Sequence, residues 1–131
     1  MQTYKSFLIY PKLMKKSSVD SIKAPTNVKN AIREFVSESI GQYKRNIKKM
    51  IIYGSVARGK VTKDSDVDIL VVWNGTALDA MDSLGDISLK ILLEYGIDIS
   101  IHPMTPKHYK YINKINTHFI QNVERDGIIV A

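Results

Sequence analysis

The chain contains no cysteine. Disulfides, thiolate metal centres and cysteine nucleophiles are therefore excluded. Long apolar runs are also missing, and none approaches the roughly 18 residues that a membrane-spanning helix needs. The stretch Phe7-Leu8-Ile9-Tyr10 is too short for a signal-peptide core and is broken by Pro11. The expected compartment is the cytoplasm, with no membrane partner. His108 and His118 are isolated, show no metal-ligand spacing and read as surface residues.

What is present is ordinary globular material. The 131 residues are 44% hydrophobic, enough for one domain with a real core. The net charge is +6, and it is unevenly placed. Residues 1–24 hold Lys5, Lys12, Lys15, Lys16 and Lys23 against Asp20, leaving a near-neutral body. Such a tail reads as a solvated, flexible arm rather than a nucleic-acid surface. The expected division is an arm over 1–24 and a folded domain over 25–131.

Periodicity supplies the elements. Thr26 follows Pro25 as a helix start, and Val28, Ile32, Phe35, Val36, Ile40 and Tyr43 recur at helical spacing. Short apolar runs at 49–53 and 67–73 read as buried strands. Asn74-Gly75 is a turn, and Thr76 with Asp79 forms a capping box for a helix near 77–95, ended by Gly96. Gly85 inside that helix works against it. Ile97-Asp98-Ile99-Ser100-Ile101-His102 alternates as a half-buried strand, with Asp98, Ser100 and His102 on its polar side. Thr105-Pro106 starts another helix. Phe119, Ile120 and Val123 mark a last one before Asp126-Gly127, and Ile128-Ile129-Val130 offers an edge strand. Helices alternating with short strands predict an α/β fold, a small mixed sheet flanked by helices.

One segment carries chemistry. Gly54-Ser55 ends the first strand, and Asp66-Val67-Asp68 opens the second. Side chains alternate along a strand, so Asp66 and Asp68 project from one face. Two carboxylates so placed repel unless a cation sits between them, and hard oxygen donors suit Mg²⁺. A polar turn explains Asp64-Ser65-Asp66 without function, but not Asp68, a carboxylate leading straight into an apolar strand. Arg58 suits either a phosphate or a tie to a carboxylate. Lys60 and Lys63 read as solvated loop charges, and His102 as a structural or surface histidine.

The run G-S-V-A-R-G-K-V-T-K-D-S-D-V-D-I-L-V-V resembles the Gly-Ser…Asp-x-Asp signature of the DNA polymerase β-like nucleotidyltransferase superfamily. In its full form it is similar to the minimal nucleotidyltransferases, the MNT proteins, often encoded beside a helical HEPN-domain partner as toxin–antitoxin pairs. The motif covers residues 50–73 and extends as a pattern over 25–131. The resemblance implies a palm-like fold and metal-dependent transfer of AMP from ATP to an acceptor hydroxyl, in a HEPN toxin a tyrosine. It implies Gly54, Ser55 and Arg58 on the triphosphate, and Asp66, Asp68 and a third carboxylate as catalytic Mg²⁺ ligands, the third serving also as the base. Asp98 matches that third position better than Glu94, which falls on a helix end. The acceptor surface must come from a partner, a homodimer or the acceptor itself. The rival reading is a binding module that neutralises a toxin by contact alone.

Overall fold

The computed structural model describes residues 19–62 and 64–131. Most of the basic arm and the expectation for Lys63 lie outside the described residues. The elements run α1 (Thr26–Tyr43), β1 (Ile47–Tyr53), the single turn α2 (Gly54–Ala57), β2 (Val67–Trp73), α3 (Ala77–Tyr95), β3 (Ile99–Met104), α4 (Pro106–Lys114), α5 (His118–Asp126) and β4 (Ile128–Ile129). A short 3-10 turn at Val19–Ser21 precedes them.

The four strands form one mixed sheet in the order β3-β2-β1-β4. β1 runs antiparallel to both β2 and β4, while β2 and β3 are parallel. A parallel pair needs a crossover, and the 19-residue α3 supplies it. The predicted α/β class with a small mixed sheet is the observed one.

Alternation along the strands sends side chains to two unequal cores. On one face α1 and α3 cover Met50, Ile52, Ile69, Val71 and Trp73 with Phe35, Ile32, Leu84 and Ile91. On the other, α4 and α5 bring Ile112, Ile120 and Val123 onto Ile51 and Leu70. The second cover is thinner, and it is the side to which Asp68, Ser100 and His102 alternate.

Capping chemistry sets the helix ends. Thr76 Oγ1 accepts from the Asp79 N–H at 3.0 Å, closing the start of α3 as its sequence predicts. Gly96 ends it in the left-handed region, φ 69°, donating to the Leu92 carbonyl. Thr105 and Thr117 cap α4 and α5 in the same way. Thr26 does not cap α1. It is the first helical residue, and the Pro25 carbonyl takes the N–H groups of Val28 and Lys29 instead.

Two boundaries differ from the sequence reading. Ile22 is 1% exposed within the main core, with Val19 and Ala24 packed around it. Val19, Ile22 and Ala24 thus pack with the domain; one isoleucine among polar neighbours gives no period from which to read this. The third strand starts at Ile99, not Ile97, and continues through Pro103 to Met104. Ile97 and Asp98 are needed to carry the chain from the end of α3 to the sheet.

Candidate active site

The site begins where β1 stops. Gly54 has φ +80°, and a Cβ added there would lie 2.6 Å from Asp68 Oδ2. Only glycine suits that position, on backbone and on space alike. Its lack of a side chain lets the Asp68 carboxylate rest against the start of α2. Ser55 follows within that turn, and its carbonyl accepts from the Lys60 N–H at 2.9 Å.

The linker after α2 is pinned at its far end. The Ser65 hydroxyl accepts from the Thr62 N–H at 2.7 Å, and the Ser65 N–H returns to the Thr62 carbonyl at 3.1 Å. Asp66 emerges exposed from this turn, and Asp68 lies half-buried as the second residue of β2. Register completes the frame. Asp68 pairs with Tyr53 of β1 on one side and with Ser100 of β3 on the other.

His102 joins this row. Its Nε2 lies 3.2 Å from Asp68 Oδ1 and 3.2 Å from the Ser100 hydroxyl. A carboxylate only accepts, so Nε2 carries the proton and donates to Asp68. The two oxygens of Asp68 thus have different neighbours: Oδ1 meets His102, and Oδ2 faces the Gly54 turn. The ring of Tyr53 stands edge-on to His102 and to Phe119, at centroid distances of 5.6 and 5.5 Å. Burial, then the nearby Asp68 charge, pushes the Tyr53 phenol up to about 12. It stays protonated at physiological pH.

Asp98 is exposed immediately before β3, and its carbonyl accepts from the Val67 N–H at 2.9 Å. Extending the β2–β3 register by one residue sets Asp98 beside Asp66 at the same end of the sheet. Among the described residues, no three His, Asp or Glu side chains gather as a group that could hold an ion. The donor chemistry still fits a hard cation through the pair Asp66 and Asp68, because Mg²⁺ is commonly held by one or two carboxylates together with substrate phosphates.

Arg58 makes the carboxylate tie, with Nη1 3.4 Å from Asp126 Oδ2 on α5. Arg125 also bonds Asp126, at 3.0 Å. Its hydrogen bond, with the weaker contribution of Arg58, holds the Asp126 carboxyl below its usual range. Lys60 is exposed, as are His108 and His118.

Sequence reasoning missed His102 and Tyr53. His102 did alternate onto the side of Asp98, but only the β2–β3 register reveals that it meets Asp68. Tyr53 gave no signal beyond its place beside Gly54.

The chain is similar to known proteins. Residues 29–129 match the nucleotidyltransferase domain family. A Methanocaldococcus jannaschii protein named "putative protein adenylyltransferase" is 38% identical over 104 residues, 79% of this chain and 98% of that protein. A second protein of that name from the same organism is 33% identical over 100 residues, 76% of this chain and 94% of its own length. A crystal structure titled as a "putative nucleotidyltransferase" from Sulfolobus solfataricus overlays with a TM-score of 0.45 at 20% identity, covering 82% of this chain and 87% of that one. With the family match spanning most of the chain and the Gly-Ser turn set against an Asp-x-Asp strand, this protein belongs to the nucleotidyltransferase domain family and is a nucleotidyltransferase.

Proposed function

We propose that the protein transfers AMP from ATP to a hydroxyl of a protein acceptor. The observation that carries the reading is the contact between Gly54 and Asp68. It joins the turn expected to meet the triphosphate to the carboxylate expected to meet a cation. The protein-adenylyltransferase names of two relatives that align over nearly their whole length support the choice of AMP and of a protein acceptor.

In this reading Gly54 and Ser55 lie under the triphosphate, and Arg58 reaches it by exchanging its Asp126 partner for phosphate oxygens. Asp66 and Asp68 would hold Mg²⁺, which would supply charge neutralisation on the phosphates. His102 fixes the orientation of Asp68 through Oδ1. Asp98, exposed beside Asp66, accepts the proton of the acceptor hydroxyl. The acceptor oxygen forms a bond to the α-phosphorus, the bond from that phosphorus to the bridging oxygen breaks, and pyrophosphate leaves.

The acceptor is a tyrosine of a HEPN-type toxin partner, in the setting of a toxin–antitoxin pair. The family resemblance supports this part. The test is intact-mass spectrometry of the neighbouring gene product after incubation with ATP and Mg²⁺. A mass gain of one AMP is expected, and its loss in the double variant Asp66→Asn, Asp68→Asn. An unchanged mass with every nucleotide tried, while the two proteins bind tightly, would establish the contact-only module instead.

A further inference from the structure

The outer face of α3 is apolar and uncovered. Leu78, Met81, Leu89 and Leu92 recur at spacings that place them on one side of the helix, with Leu93 beside them. Leu78 is 71% exposed, Leu89 54% and Leu93 77%. The opposite side of the same helix, Ala80, Leu84, Ile87 and Ile91, is already buried on the sheet. A lone exposed leucine is ordinary, but a continuous stripe along a helix marks an interaction surface.

Gly85 lies in the middle of this stripe. A Cβ added there would meet nothing within 4 Å, so no packing inside this chain requires glycine. Glycine in a helix interior costs about 1 kcal/mol relative to alanine. Its absent side chain instead leaves a shallow saddle where a second helix can approach the backbone closely.

Charge on the rim identifies what approaches. Asp82 and Asp86 are exposed beside the stripe, and among the described residues neither makes an ion pair. Glu34 and Glu38 of α1 and Glu94 of α3 surround Lys90, the cation that bridges them at 3.9, 2.9 and 3.8 Å. This rim is acidic on a chain whose net charge is +6. A second copy docked antiparallel through the same face would bring two sets of Asp82 and Asp86 together on one side. The adjacent sheet edge is β3, where Pro103 has no N–H to extend the ladder, which disfavours an added strand.

We infer that the outer face of α3 docks a cationic amphipathic helix of a partner protein. Leucine-type residues of that helix lie along Leu78, Met81, Leu89 and Leu92 and cross at Gly85. Its lysines or arginines face Asp82 and Asp86, the carboxylates that Lys90 does not neutralise. α3 packs on the sheet face opposite to Asp68, Ser100 and His102. The partner is thereby held without covering the nucleotide site, and the docking does not depend on nucleotide.

The test uses the full chain and two synthetic amphipathic helices, one built of leucine and lysine, the other with glutamate at every lysine position. Binding is read by fluorescence anisotropy. The lysine peptide is expected to bind at least about tenfold tighter, and to weaken as salt rises. The double variant Leu89→Ser, Leu93→Ser should lose about tenfold or more in affinity, with circular dichroism and melting showing the fold intact. Asp82→Lys with Asp86→Lys should reverse the preference toward the glutamate peptide. Equal binding of both peptides, or binding unchanged in the leucine variant, overturns the inference. Sedimentation should show a monomer, and a dimer that dissociates in the leucine variant would also overturn it, assigning the face to contact between copies.

Discussion

Replacing Gly54 by alanine is the sharpest perturbation the site allows. Two effects act together. An alanine at φ +80° sits in the left-handed region, which costs about 1–2 kcal/mol for a residue with a Cβ. That Cβ would also lie 2.6 Å from Asp68 Oδ2, closer than van der Waals contact permits, so the carboxylate must swing away. Asp68 is half-buried and bonded through Oδ1 to His102. Displacing it therefore strains that bond too, worth about 1 kcal/mol. The expected loss is about 2–3 kcal/mol. For a chain of this size that is a fall in Tm of roughly 7–11 °C. Gly41→Ala is the matched control. Gly41 lies within α1 with nothing near its absent Cβ, so alanine there should stabilise by about 0.5–1 kcal/mol. Calorimetry of both variants, with ATP affinity measured alongside, checks the sign difference. A Gly54→Ala protein that melts with the wild type and binds nucleotide normally would refute the close approach of Gly54 to Asp68.

Other outcomes follow from contacts already described. His102→Ala should lower turnover about tenfold by freeing Asp68 Oδ1, with partial recovery in His102→Gln, whose amide can donate from a similar position; steady-state kinetics at saturating metal will show it. Ile22→Ala should cost about 2–4 kcal/mol because its side chain is fully buried, so a chain starting at residue 19 should melt well above one starting at residue 25. Tyr53 titrates near 12 in the folded state and near 10 when unfolded. A raised folded pKa means that stability is fully present below pH 10 and declines as pH rises toward 12. Without metal, Tyr53→Phe should flatten that decline in urea titrations taken at each pH.

Much of the fold was legible because its signals were local. Thr76, Asp79 and Gly96 bracket α3 through contacts with their own neighbours, and the isoleucines of β3 alternate into the core. Gly54, Asp66 and Asp68 were legible as a motif, since glycine and paired carboxylates have few other reasons to stand between buried strands. His102 was not, because its meeting with Asp68 depends on a parallel register that no local pattern encodes. The packing of residues 19–24 was hidden for a related reason. One buried isoleucine, Ile22, leaves no period. Apolar residues stand on two sides of α3, and only the structure divides them: Ala80 and Leu84 are buried against the sheet, Met81 and Leu92 exposed.

The row Tyr53–Asp68–Ser100 has a consequence for how the molecule comes into being. Its three members belong to β1, β2 and β3. The first two strands are joined by a short linker and can pair early. Ser100 and His102 join only when the chain has crossed over through α3, a less local closure than the pairing of β1 with β2. A nascent or partly unfolded chain thus holds the Gly-Ser turn and both motif aspartates without the imidazole that orients one of them. Catalytic competence should appear in refolding experiments with the slowest phase, together with protection of the Val67 amide that bonds the Asp98 carbonyl, and not with the earlier burial of β1 against β2.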